Sequence, residues 1–181
     1  ERLGVSTVEF AYDVLTASDE PTALLLPLFN YADGNHDVLY EQMMDDEAIL
    51  GLADGGAHCG AICDASIPTY VLTHWVKGRT RGPRLALEDG VRRLTSQPAD
   101  VYGMTDRGRL LPGLRADINV IDLDSLRLLA PHAVYDLPAG GMRLLQNAVG
   151  YDATIVAGVV TRRNGRDTGE RPGRLLLHGA A

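Results

Sequence analysis

Apolar positions recur at helical spacing at the start of the chain and at strand spacing towards its end, and that change of period organises the reading. In "STVEFAYDVLTA", Val8, Ala11, Tyr12 and Leu15 fall on one face behind Ser6 or Thr7, which predicts a short capped amphipathic helix. The run Ala23 to Phe29 is apolar on both faces, the pattern of a strand in a covered parallel sheet, and Asn30, Asp33 and Asn35 mark the loop at its end. "HDVLYEQMMDD" predicts a second helix with Val38, Leu39, Met43 and Gln42 on its inner side. "AILGLADGG" reads as another short strand with a glycine-rich exit. Helix, strand, helix, strand is a βα pattern, and right-handed crossovers would make the sheet parallel.

Two further helical stretches follow. "PTYVLTHWV" is one; "LALEDGVRRLTSQPADVYGM" is the other, with Leu87, Val91 and Leu94 inward, Pro98 opening a short helix and Gly103 stopping it. From Arg107 the texture changes to a Pro-Gly turn, alternating Ile118, Val120 and Ile121 or Leu123, and β-branched runs broken by Ala-Gly and Asn-Gly. The second half is therefore expected to be β.

Composition narrows the function classes. The chain has 181 residues, 45% of them apolar, enough for one good-sized domain or two small ones with a core. A formal charge of −7 speaks against nucleic acid and against an anionic membrane surface. No stretch has the length of a membrane span and the N-terminus lacks the layout of a secretory signal, so a cytoplasmic location is expected. Cys59 and Cys63, four apart, lack the second Cys or His pair of a structural zinc site and read as free packing thiols. The opening "ERLGVSTVEF" enters a helix directly without an initiator Met, which suggests a piece of a longer polypeptide.

The chemistry centres on "GLADGGAHCG", Gly51 to Gly60. In parallel α/β architectures the carboxyl ends of strands face the active site, and Asp54 occupies such an end in this reading. The two glycines after it admit unusual backbone angles and the close approach of another group. A carboxylate there suits a divalent metal or the proton of a metal-bound water; it equally suits a helix N-cap or an Asx turn, and spacing leaves both open. His58 is a partner for substrate, for that carboxylate or for loop backbone. Asn30 and Tyr31 are candidate substrate contacts, with a turn role open for Asn30. His74 and Trp75 read as packing groups, and Arg79, Arg81 and Arg84 as a solvated charged loop. Arg107, Gly108 and Pro112-Gly113 read as turn geometry at a domain junction.

From about Val5 to Leu175 the chain resembles the C-terminal part of metal-dependent amidohydrolases of the N-acyl-D-amino-acid deacylase (D-aminoacylase-like) branch. The matching stretches are "LFNYADGN", "LGLADGGAHCGAICDASIPTYVLTHW", "LEDGVRRLTSQPADVYGMTDRGRLLPGLRADINVIDLDSL", "VYDLPAGGMRLLQNAVGY" and "TIVAGVVTRRNGRDTGERPGRLL". The resemblance implies an α/β fold: residues 1–105 as the last two βα units of a TIM-like (β/α)8 barrel, and residues 106–181 as the C-terminal portion of a small β-sandwich. It also implies zinc, and a role for Asp54 at the metal centre, activating the hydrolytic water and passing its proton to the leaving amine. The resemblance implies that most zinc ligands, an early His-x-His among them, come from strands before this sequence; the five histidines here, His36, His58, His74, His132 and His178, form no such pair, so either those ligands belong to a longer chain or the chain by itself is not a working enzyme. The expected partners are a small-molecule substrate and the remainder of the barrel or a homo-oligomer that covers open parallel edges. Cyclic-amide (hydantoinase-like) hydrolysis, or a non-catalytic remnant used as an assembly or binding module, are the competing readings.

Overall fold

The computed structural model describes residues 4–17, 24, 29–51, 53, 55, 56 and 58–176. The chain divides into two compact units, residues 1–39 and 40–181.

In the first unit, helix α1 (Thr7–Thr16) opens on a capping box: Ser6 Oγ accepts the Glu9 amide at 3.1 Å, and the Glu9 carboxylate accepts the Ser6 amide at 3.4 Å. This reciprocal pair satisfies two amide donors that the helix start cannot satisfy itself. The strand expected over Ala23 to Phe29 lies largely outside the described residues. After it, Asn35 Oδ1 accepts the Asp37 amide at 2.8 Å where helix α2 (Asp37–Met44) begins.

The second unit starts within α2, whose Met43 is buried. Ala48–Gly51 carry no strand, contrary to expectation, and every strand ladder among the described residues is antiparallel. An apolar run becomes a strand only with a ladder partner. Among the described residues no strand pairs with Ala48–Gly51, and the Ala48 carbonyl accepts from the Gln97 side-chain amide at 3.0 Å. Among the described residues the one parallel bridge is the isolated pairing of Gly56 with His58.

A short 3-10 turn (Asp64–Ser66) leads into α3 (Ile67–Tyr70), which continues as a π-helix (Val71–Gly78). The wider winding is closed by the Arg79 amide donating to the His74 carbonyl five residues back at 2.8 Å. Val71, Leu72 and Trp75 of this segment are buried and form the centre of the core with Leu85 and Ala99. Helix α4 (Leu87–Leu94) packs on it, followed by α5 (Ser96–Val101). The face of α4 turned inward differs from the expected one: Leu87 and Val91 are exposed, and Gly90 and Arg93 are buried. Gly90 explains the rotation. A Cβ there would meet Val76 Cγ2 at 2.6 Å, so the absence of a side chain lets the two helices approach where a Leu would hold them apart.

After α5 the chain is β. Strand β1 (Ile118–Ile121) pairs with β6 (Tyr151–Val156), β6 with β7 (Val159–Arg163) and β7 with β8 (Arg166–Asp167), a four-stranded sheet in the order β1-β6-β7-β8. The β7–β8 hairpin turns on Asn164 and Gly165, both at positive φ (48° and 76°), the two-residue turn whose twist matches the strands it joins. Two smaller ribbons pair β2 (Arg127–Leu128) with β5 (Ala148–Val149) and β3 (His132–Leu137) with β4 (Gly141–Leu145). Helices followed by antiparallel sheets give a chain of mixed α and β content; neither a barrel wall nor a two-sheet sandwich is formed by the described residues. No helix among them is long and apolar enough to cross a membrane.

Candidate functional site

Asp54 lies outside the described residues; the loop that follows it is described from Gly55 onward, except Ala57. That loop is a tight turn. His58 takes a left-handed backbone (φ 50°), and its carbonyl accepts the amides of Ala61 at 2.8 Å and Ile62 at 2.9 Å. The His58 side chain is exposed and makes no hydrogen bond among the described residues, so this histidine organises loop backbone through its main chain and leaves its imidazole facing solvent. The loop is tied to the β half by the Leu144 amide, which donates to the Cys59 carbonyl at 2.7 Å, and it lies close to the following 3-10 turn, where Ala65 Cβ stands 3.4 Å from the position a Cβ on Gly55 would take. Cys59 and Cys63 are unbridged and half-buried.

Asn30 and Tyr31 belong to the first unit and His58 to the second. Asn30 also adopts a left-handed backbone (φ 57°), which Asn tolerates better than most residues. Its carbonyl accepts from Nδ1 of His36 at 3.3 Å, and the Tyr31 and His36 rings lie 4.7 Å apart, tilted by 45°. Asn30, Tyr31 and His36 thus form one polar-aromatic group. His36 was not a predicted site residue; its position six after Asn30, at the start of a helix, carries no motif that marks it.

Two other groups depart from expectation. Arg79 is buried rather than solvated, its guanidinium 4.4 Å above the Trp75 ring, while His74 meets the same ring edge-on at 5.3 Å and stacks on Tyr70 at 4.8 Å. Burial raises the Tyr70 phenol, and the Arg79 charge partly opposes it. Arg107 is more than a turn residue. It bonds Asp106 through Nε and Nη2 at 2.8 and 2.9 Å and reaches Asp117 at 3.4 Å; Asp117 also accepts from Arg115 Nε and from the Ala157 amide. The "DRGRLLPGLRAD" segment is therefore an ion-pair knot that fastens the entry to β1 onto the β6–β7 turn.

The hydrogen bonds from Arg107 hold the Asp106 carboxyl below its ordinary range, and Arg143, bidentate to Asp136 at 2.6 Å, does the same to Asp136. A folded pKa below the unfolded value of about 3.9 means that the pair's contribution is complete above that pH and is lost as pH falls through the lower folded value. Carboxyl-carbon NMR titration is expected to give midpoints for Asp106 and Asp136 below about 3.9. Midpoints at or above it would show that these pairs do not form in solution.

Among the described residues no three His, Cys, Asp or Glu side chains converge to hold a metal ion. These donors alone do not fit a zinc centre.

The profile of the Amidohydrolase family matches residues 36–162. Over 113 residues the chain is 35% identical to the N-acyl-D-glutamate deacylase of Alcaligenes xylosoxydans xylosoxydans, an alignment covering 62% of this chain and 20% of that protein. The chain spans about a fifth of the length of this curated relative. No solved structure matches it. The family match takes in the Asp54 loop, the π-helix, α4 and α5, the ion-pair knot and the strands through most of β7, and on that extent the chain belongs to the Amidohydrolase family.

Proposed function

We propose that this chain is the C-terminal segment of a metal-dependent amidohydrolase that cleaves the non-peptide C–N bond of N-acyl-D-amino acids. The observation that carries the reading is the family match over residues 36–162, which brackets Asp54 and its glycine loop, together with the 35% identity to a deacylase whose name specifies an N-acyl-D-amino acid. In this reading residues 1–105 contribute the last βα units of the (β/α)8 barrel and residues 106–181 the end of its β-sandwich. Zinc is the metal of this reading, with its ligands apart from Asp54 on residues outside this sequence.

Hydrolysis adds the oxygen of water to the acyl carbon and breaks the bond to nitrogen. Asp54 accepts a proton from the attacking water and delivers it to the departing amine, so the carboxylate is restored within one turnover. His58, with its imidazole exposed beside that loop, and the Asn30–Tyr31 group are the substrate contacts of this reading.

The test is hydrolysis of N-acetyl-D-glutamate and N-acetyl-D-methionine, beside their L-enantiomers, by the complete polypeptide that carries this chain, with zinc supplied. Release of free D-amino acid well above that of the L-form is expected. No hydrolysis of any N-acyl-D-amino acid would refute the assignment and favour a binding or assembly role.

A further inference from the structure

Both cysteines of the chain lie on one turn, and that turn leans on the β3–β4 ribbon. The His58 carbonyl accepts the amides of Ala61 and Ile62, three and four residues on, so the backbone winds once and sets Cys59 and Cys63 one turn apart. Side chains at that spacing face the same side, with Cβ atoms about 5–6 Å apart. Both residues are unbridged and half-buried. The Leu144 amide holds the Cys59 carbonyl at 2.7 Å, and a Cβ on Gly60 would stand 3.7 Å from the Met142 carbonyl oxygen. Cys59 and Gly60 therefore run beside Met142 and Leu144, and the residue between those two is Arg143. Hydrogen bonds to Asp136 at 2.6 Å raise the Arg143 guanidinium above its ordinary range, and the charge of an ionised Cys59 acts in the same direction. Sulfur and guanidinium are within electrostatic reach of each other. A thiol that only fills space needs neither a second thiol one turn away nor a cation beside it.

We propose that Cys59 and Cys63 are a thiol pair that a peroxide oxidises to an intrachain disulfide, with Cys59 the attacking sulfur, Cys63 the resolving one and Arg143 the assisting cation. The Cys59 thiolate attacks one peroxide oxygen, the O–O bond breaks, and the departing oxygen takes up a proton and leaves as water; Cys59 becomes a sulfenic acid. The Cys63 thiolate attacks that sulfur, the S–O bond breaks, and a second water leaves. Two thiols give up two electrons and two protons, and the peroxide takes them. Arg143 supplies positive charge where negative charge passes from sulfur to the departing oxygen. A disulfide needs Cβ atoms about 3.5–4.5 Å apart, so the turn tightens by roughly 1–2 Å on closure. The Leu144 bond fixes the Cys59 end, and the movement falls on Cys63.

The reduced 181-residue chain is treated with hydrogen peroxide, and its intact mass and sites of modification are read by mass spectrometry. A mass lower by about 2 Da, restored by dithiothreitol, is expected. In Cys63→Ser the reaction is expected to stop at a sulfenic acid on Cys59 that dimedone traps, and Cys59→Ser is expected to give neither product. Arg143→Gln is expected to slow oxidation about tenfold, and Asp136→Asn, which releases the guanidinium from its ion pair, to speed it. Circular dichroism checks that each variant keeps the wild-type fold. An unchanged mass, or a disulfide between two chains in place of the intrachain one, overturns the pair. A dimedone adduct on Cys63 in Cys59→Ser, at the rate seen for Cys59, overturns the order of attack. Equal rates in wild type and Arg143→Gln overturn the part given to Arg143.

Discussion

Asp54→Asn is expected to lower kcat for an N-acyl-D-amino acid by about 10²- to 10⁴-fold, the range over which a positioned acid–base group contributes. Asparagine matches aspartate in size and keeps a carbonyl acceptor, yet its amide cannot take a proton from water at neutral pH or hand one to a leaving amine. KM should change little, because the contribution lost belongs to the transition state rather than to ground-state binding. A variant with wild-type kcat would remove Asp54 from the chemistry. A variant with normal kcat and a strongly raised KM would make it a substrate-binding group instead.

Trp75→Ala is expected to destabilise the second unit by roughly 3–5 kcal/mol, the usual cost of emptying a core site of an aromatic ring. Trp75 is only 4% exposed and lies in the π-helix between Val71, Leu72 and the buried Leu85, whose amide donates to the Trp75 carbonyl at 2.8 Å. Two further consequences follow from its ring. It carries the Arg79 guanidinium on its face at 4.4 Å, and it gives His74 an edge contact at 5.3 Å. Loss of the indole therefore leaves a cavity and removes the aromatic face on which the Arg79 guanidinium rests, so a cation–π contact is lost together with the packing. Urea unfolding followed by circular dichroism measures it: a lower midpoint with an unchanged slope is expected. A loss below about 1 kcal/mol would mean that the packing around residue 75 closes the gap or is not formed.

Where the local signal in the chain was sufficient, the structure follows it. Ser6, one of the two cap candidates, opens α1, the helical period marks α2, and Asn164-Gly165 after a β-branched run marks the last hairpin. What local pattern could not carry is partnership. Ala48–Gly51 has the composition of a strand, but strand form depends on a neighbour that the pattern cannot name, and a glutamine from α5 occupies the carbonyl instead. The inward face of α4 differs for a related reason: the apolar stripe points to Leu87 and Val91, whereas the closest approach is made where a side chain is missing, at Gly90. Burial of Arg79 was invisible because a run of arginines reads as solvated unless an aromatic face is known to lie near. The π-helix was likewise unreadable, since a winding of five rather than four residues leaves little trace in apolar spacing.

The candidate site was legible only to its outline. Glycines after an aspartate read as a loop that admits close approach; Asp54 itself lies outside the described residues, and the loop after it takes a left-handed backbone at His58. The hydrogen-bonded pairs that join the helical segment after this loop to the β half, Ser66 with Gln146 and Thr69 with Tyr151, carry no motif; their members are separated by about 80 positions and are related only by the fold. Arg107 was assigned to a turn, and its role as the hub between Asp106 and Asp117 emerges only when both carboxylates are placed in space.

The central claim is that Asp54 handles a proton during amide hydrolysis, and the pH dependence of kcat reads that event directly. With N-acetyl-D-glutamate as substrate, wild-type kcat should fall on the acid side as one carboxylate becomes protonated, and in Asp54→Asn that acidic limb should vanish along with most of the rate. Persistence of the same acidic limb at full rate in the variant would contradict the account.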